Sequence, residues 1–194
     1  EDRVRKEVGR DGGVPFKVVE ASVILTLPLH IDWVCHLAYL ADAAALVSGS
    51  LDTLLMVTQL DWPLKSVPSN TRGDKAMVKA DPNHCRSMCC IPAHSKGVTC
   101  FQLMNISSRK LCATCSYERD AKIFNIETGD LARTLVGHRS LLRELAFDEA
   151  TQVLVTLAAD GEMRTWEMIS YSLLQIIRPE SMKDRISSVH FNAA

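Results

Sequence analysis

Histidine and cysteine are the side chains whose types and spacing could do chemistry in this sequence. His84-Cys85, Cys89-Cys90 and His94 fall close together, and zinc takes Cys and His ligands at short spacings. The spacing is loose, however, and two adjacent cysteines cannot easily both point at one ion. Small half-buried thiols in a loop are therefore the expected state of Cys85, Cys89 and Cys90. Cys112-Ala-Thr-Cys115 is a C-x-x-C, which in a thioredoxin-like setting would signal redox work. It lies inside KLCATCS, which reads as a strand, where residues three apart face opposite sides. Both cysteines are then small core hydrophobes. There is no glycine-rich phosphate loop, G-x-S-x-G elbow, His-Glu-x-x-His helix or EF-hand loop. His36, His84 and His190 stand without a Ser/Asp pattern and read as surface or core histidines. The sequence predicts no enzyme, no catalytic residue, no cofactor and no metal site, a zinc- or thiol-dependent enzyme being the remote alternative.

His138 belongs to a different pattern, and it organises the chain. In 137–166, GHRSLLRELAFDEATQVLVTLAADGEMRTW, a Gly-His pair opens two short apolar runs, which lead through Ala-Asp-Gly to a Trp followed by Glu167. Turn signals at Gly137-His138, Asp148-Glu149 and Asp160-Gly161 separate runs of strand length, and Asp-Gly suits a tight turn because glycine takes positive φ. The stretch resembles one blade of a WD-repeat propeller, a four-stranded sheet opened by Gly-His and closed near Trp-Asp. That resemblance implies four interlocking residues: His138 before the first strand, Thr156 in the second, Asp160 in the turn and Trp166 in the third. An indole N–H, a hydroxyl, an imidazole and a carboxylate can satisfy one another in series.

Two further copies follow the same pattern, one at the same offset and one two residues longer. His30 to Asp52 spans 22 residues, as does His138 to Asp160, and Ser48 precedes Asp52 by four as Thr156 precedes Asp160. Thr58-Gln59 replaces Trp-Asp there. In the middle copy His94 to Glu118 spans 24 residues, with Thr114 in register and Phe124-Asn125 at the Trp-Asp position. The expected architecture is all-β: an incomplete propeller of about three four-stranded blades with partial flanking strands. Residues 1–15 form a polar lead or linker, and 16–29 the outer strand or strands of a preceding blade. Residues 30–93 form a blade carrying a Pro- and Cys-rich insertion at 61–93, whose fourth strand is sought at Lys75–Lys79. Residues 94–136 and 137–177 form the second and third blades, and 178–194 begin a fourth. On this reading the remaining blades come from the same longer chain, and Val153, Val155 and Leu157 dress a face meant for a neighbour.

Charge and composition narrow the partners. The formal net charge of −1 gives no bulk attraction to nucleic acid or to anionic lipid, and no apolar run approaches the ~18 residues of a membrane span. Seven cysteines, an odd number without framework spacing, point to a reducing compartment and a cytoplasmic location. There is no initiator Met and no signal-peptide h-region, so the chain reads as a piece of something longer. What remains is a platform for other proteins, read at a rim of loops carrying Trp33, Tyr117, Arg119, Arg139 and Arg143, of which the aromatic and arginine types are enriched at interface hot spots. Trp33 itself is expected in the core, an exposed anchor being its alternative.

The phrases HIDWVCHLAYL, KGVTCFQL, GHRSLL and ISSVHFN are similar to a subgroup of WD-repeat proteins linked to cilia and flagella. That resemblance implies a non-enzymatic scaffold in a motile axoneme. A cytosolic WD-repeat adaptor of a ubiquitin ligase or trafficking complex shares the fold and is the alternative.

Overall fold

The computed structural model describes Leu27, residues 29–60, 85–181, 186–189 and Phe191. The lead segment 1–15, the flanking residues 16–26, His84, the sought strand Lys75–Lys79 and His190 lie outside the described residues. Within them the chain is all-β, twelve strands in three antiparallel sheets of four. No helix there is long and apolar enough to cross a membrane.

The first sheet runs β1 (Val34–Leu40), β2 (Ala45–Ser50), β3 (Leu54–Leu60) and β4 (Cys85–Pro92). The second comprises β5 (Val98–Ile106), β6 (Arg109–Ser116), β7 (Ala121–Asn125) and β8 (Leu131–Leu135), and the third β9 (Leu142–Asp148), β10 (Val153–Ala158), β11 (Met163–Glu167) and β12 (Ser172–Ile177). In every sheet sequential strands are antiparallel neighbours. β5 turns into β6 through Ser107 and Ser108, both at positive φ (49° and 65°), a two-residue turn of the kind whose twist matches its strands.

The fourth strand of the first sheet corrects the sequence expectation. It is Cys85–Pro92 that pairs with β3, Leu55 opposite Ile91 and Val57 opposite Cys89. Cys89 and Cys90 are therefore strand residues, not loop residues. Being adjacent on a strand they face opposite sides, Cys89 packing half-buried on the core and Cys90 exposed.

The sheets stack through two cores. Between the first and second, Val47, Leu55, Val57 and Ile91 meet Val98, Phe101, Cys112 and Phe124. Between the second and third, Met104, Leu111, Cys115 and Ile123 meet Leu142, Leu145, Leu154 and Trp166. Fully burying one such aliphatic side chain stabilises by roughly 1.5–3 kcal/mol, so the sheet-to-sheet contact, more than any turn, holds the array. Cys112 and Cys115 enter opposite cores, each fully buried, because three residues along a strand reverse the face.

The outer faces differ from each other. On the first sheet Leu37 and Tyr39 are more than half exposed. On the third, Val155 and Leu157, expected on an open face, are only 4% and 1% exposed. They share that face with Ala146 and Glu144, their partners across the β9–β10 ladder, and the Val189 amide donates to the Glu144 carboxylate at 3.2 Å. Val189 thus lies against the far side of the third sheet.

Candidate functional site

Each sheet receives its first strand from a loop that starts at a histidine, and each histidine reaches down to the hydroxyl of the second strand. His30 Nε2 lies 2.7 Å from Ser48 Oγ, His94 Nε2 2.9 Å from Thr114 Oγ1, and His138 Nε2 2.7 Å from Thr156 Oγ1. The other ring nitrogen faces the turn between second and third strands. In the first sheet His30 Nδ1 contacts Asp52 at 2.9 Å, and Asp52 also accepts the Ile31 amide. In the second, His94 Nδ1 contacts Glu118 at 2.7 Å, and Glu118 accepts the Ser95 amide and hydroxyl. Burial alone would raise the Glu118 carboxyl; the Ser95 and His94 bonds outweigh it and hold it at about 2.

The third sheet solves the same problem differently. Its Trp166 indole N–H donates to Thr156 Oγ1 at 3.0 Å, so His138, Thr156 and Trp166 are joined. Asp160 is not joined to them: its carboxylate accepts the Glu162 amide within the turn. The carboxylate nearest His138 Nδ1 is that of Glu162, at 3.4 Å and without a hydrogen bond, which leaves Nδ1 buried and unpaired. Glu162 is committed elsewhere. Arg164 Nε and Arg178 Nε each donate to it at 2.7 Å, and these bonds hold its carboxyl below the usual range against the opposing effect of burial. The His138 ring, desolvated and beside the Arg164 guanidinium, is lowered to about 4 and is neutral at physiological pH.

Arg164 also donates to the Gly137 carbonyl at 2.6 Å. Gly137 has φ 134°, and a Cβ there would sit 2.1 Å from Arg164 Nη1, so the Gly of Gly-His is the space through which the guanidinium reaches the backbone. Lys122 does the same in the second sheet, donating to the Ala93 carbonyl at 3.0 Å. Sequence reasoning passed over these cations. The signal was present: Lys122 and Arg164 each stand eight residues after the second-strand threonine, and His138 to Glu162 spans 24 residues, as His94 to Glu118 does.

Four of the five rim residues, Trp33, Tyr117, Arg119 and Arg139, belong to loops at one end of the sheets, where first strands begin and second strands turn into third, called here the upper rim; Arg143, expected in a loop, is instead the second residue of β9 at that same end. Trp33 is 79% exposed, which corrects the expectation of a core position: it precedes β1 and has no sheet face to pack on. Tyr117, Arg119, Arg139 and Arg143 are exposed as well. Tyr117 and Arg143 come together on a groove of about 430 Å³ lined also by Thr99, Leu141, Leu142 and Ala159, between the second and third sheets. Arg119, Arg139 and Trp33 are not part of its lining. Among the described residues no group of three or more His, Cys, Asp or Glu side chains is arranged to hold a metal ion.

The chain is an all-β protein whose three four-stranded antiparallel sheets have the form of blades of a partial WD-repeat propeller. Among curated proteins it is similar to nuclear distribution protein nudF 1 of Talaromyces marneffei, 23% identical over 157 residues that make up 80% of this chain and 29% of that protein. It is also similar to nuclear distribution protein PAC1 of Arthroderma otae, 21% identical over 197 residues, 86% of this chain and 41% of that protein. A shorter similarity, 31% over 64 residues, joins it to the DDB1- and CUL4-associated factor 7 homolog of Dictyostelium discoideum, covering 33% of this chain and 20% of that protein. No family model matches the chain. The similarities support the WD-repeat family. The chain spans 29% and 41% of the length of the two nuclear distribution proteins.

Proposed function

We propose that the chain is part of a WD-repeat propeller that binds other proteins at its upper rim and catalyses no reaction, its remaining blades coming from the same longer polypeptide. The groove between the second and third sheets carries this reading, because it joins an aromatic ring and a guanidinium, Tyr117 and Arg143, to apolar Leu141 and Leu142. Lys96, Arg119 and Arg139 are exposed in loops of the same rim. Such a surface suits a partner segment that presents an apolar side chain beside carboxylates. Hot-spot anchors cost about 2 kcal/mol or more on truncation, or roughly thirtyfold in affinity. Tyr117→Ala/Arg143→Ala in the full-length protein should therefore deplete a defined subset of co-purifying proteins, measured by quantitative mass spectrometry. An unchanged set, in that variant and in Arg119→Ala/Arg139→Ala/Arg143→Ala, would remove the upper rim as the binding surface.

Two narrower readings concern where the scaffold works. A ciliary or flagellar axoneme is supported by the resemblance of the phrases HIDWVCHLAYL and KGVTCFQL; no relative named above carries such a word in its name. A cytoplasmic adaptor is supported by the similarity to a DDB1- and CUL4-associated factor homolog. Imaging of the tagged full-length protein in ciliated cells separates the two.

A further inference from the structure

We infer that Cys100 and Cys115 form a modification site, at which hydrogen peroxide closes a disulfide between the first two strands of the second sheet. The two residues are direct partners across the β5–β6 ladder, placed there by a bulge at Thr99. Directly opposed residues of an antiparallel pair have Cα atoms about 4.5–5.5 Å apart, within the span that a disulfide bridges. The sulfurs are already 2.8 Å apart, so a bond of about 2.0 Å needs them to close by less than about 1 Å. No other two thiols are hydrogen-bonded to each other among the described residues. Cys112, the other half of the C-x-x-C, faces the opposite core and cannot join them.

The surroundings define the reagent. Cys115 is fully buried, whereas Cys100 is only half-buried, so attack starts at Cys100 and the oxidant must be small. The Cys100 sulfur attacks one peroxide oxygen and the O–O bond breaks. A sulfenic acid forms on Cys100, and the departing hydroxide takes the Cys100 proton to leave as water. The Cys115 sulfur then attacks the Cys100 sulfur, the S–O bond breaks, and hydroxide leaves with the Cys115 proton as a second water. Two thiols are oxidised by two electrons in all, and one peroxide is reduced to two waters. The hydrogen bond between the thiols, together with burial, raises the Cys100 thiol far above its ordinary value. The thiolate is scarce at neutral pH, so the bond forms under sustained oxidation and faster in mild alkali. Thr99 connects this site to the rim: its hydroxyl contacts Cys115 Sγ at 3.3 Å and the Leu142 carbonyl at 3.3 Å, and both Thr99 and Leu142 line the groove.

The test uses the full-length protein, folded or unfolded in urea, treated with hydrogen peroxide, quenched, then in both cases denatured in urea, alkylated and digested without reductant. From folded protein, mass spectrometry should show loss of alkylation at Cys100 and Cys115 together and one linked peptide containing both, lighter by two hydrogens and released by dithiothreitol, while Cys112 stays alkylated. From unfolded protein that link should be lost among mixed pairings. Recovery of both thiols alkylated after treatment of the folded protein would overturn the site. So would over-oxidised Cys100 beside free Cys115, or the same link in equal yield from the unfolded chain. In the conservative variant Cys115→Ser, Cys100 should instead end as sulfenic or higher acid; an undiminished mixed disulfide of Cys100 with Cys112 there would equally refute the assigned geometry.

Discussion

Neutralising the titration of His138 should remove a defined part of the acid sensitivity of the third sheet. The ring is buried, its Nδ1 lacks a hydrogen bond, and desolvation with the neighbouring Arg164 charge lowers its pKa to about 4, against about 6.5 for an unfolded histidine. The folded value is the lower one, so between those two values the unfolded chain binds more protons. This contribution is complete above about pH 6.5 and is lost as pH falls through about 4. At pH 5 the loss comes to about 2 kcal/mol, and the limit below pH 4 is about 3 kcal/mol. The assay is hydrogen exchange of peptides covering β10 and β11 in the full-length protein at pH 7 and pH 5, corrected for intrinsic rates, in the native sequence and in His138→Gln. Glutamine can still meet the Thr156 hydroxyl but does not titrate. The native opening free energy should fall by about 2 kcal/mol more than that of the variant over this interval. Equal falls would show that His138 is not held neutral by its burial and by Arg164.

Two other perturbations read the same architecture. Glu162→Gln should destabilise the third sheet by about 3–5 kcal/mol, because it leaves buried Arg164 without its charge partner, whereas Asp160→Ala, which loses one acceptor within a turn, should cost about 1 kcal/mol. Differential hydrogen exchange of β11 checks the ranking, and an Asp160 effect equal to that of Glu162 would reverse the assignment of the acid. In the first sheet Thr58 is 1% exposed with its hydroxyl unpaired, so Thr58→Val, which keeps the shape and removes the orphan, should stabilise β3 by about 1 kcal/mol; a loss of protection there would mean that the hydroxyl has a partner.

Much of the sheet structure was legible because repeats state their rule several times. The offset from histidine to second-strand hydroxyl is 18 residues in the first and third copies and 20 in the middle one, and in all three the hydroxyl, of Ser48, Thr114 or Thr156, meets its histidine. The C-x-x-C was legible from strand geometry alone. β4 was not, because CRSMCCIP shows no clean alternation of apolar and polar residues and follows a Pro-rich insertion. Trp33 was misjudged because residue type says little about burial at the mouth of a strand, where there is no facing sheet. Glu162 was missed because Asp160 already filled the expected place, and nothing in a one-dimensional pattern says which of two acids two residues apart turns inward. The thiol pair escaped because its members are 15 residues apart and meet only once the bulge at Thr99 sets the register.

Glu162 and His138 are parted by the residue that stands opposite the second-strand hydroxyl. All three sheets must tie the loop leading into the first strand to the turn between the second and third, since both carry the upper rim. In the first sheet the residue opposite Ser48 is Met56, with no charge to offer, and the histidine–acid contact is 2.9 Å. In the second that place is held by Lys122, which stays 3.5 Å from Glu118 and leaves the histidine–acid contact at 2.7 Å. In the third it is Arg164, which takes the acid at 2.7 Å and pushes the histidine–acid distance to 3.4 Å. A planar guanidinium can hold a carboxylate and a backbone carbonyl at once, which a lysine does only as a point charge. The arginine therefore replaces the histidine as the link between turn and loop, through Glu162 on one side and Gly137 on the other. His138 keeps only its downward bond to Thr156, and the Trp166 N–H reinforces that hydroxyl from the third strand. The third sheet thus fixes its part of the rim by a charge bridge and its interior by a neutral chain. In the first two the histidine takes part in both, beside the acid's own bond to the loop amide of Ile31 or Ser95.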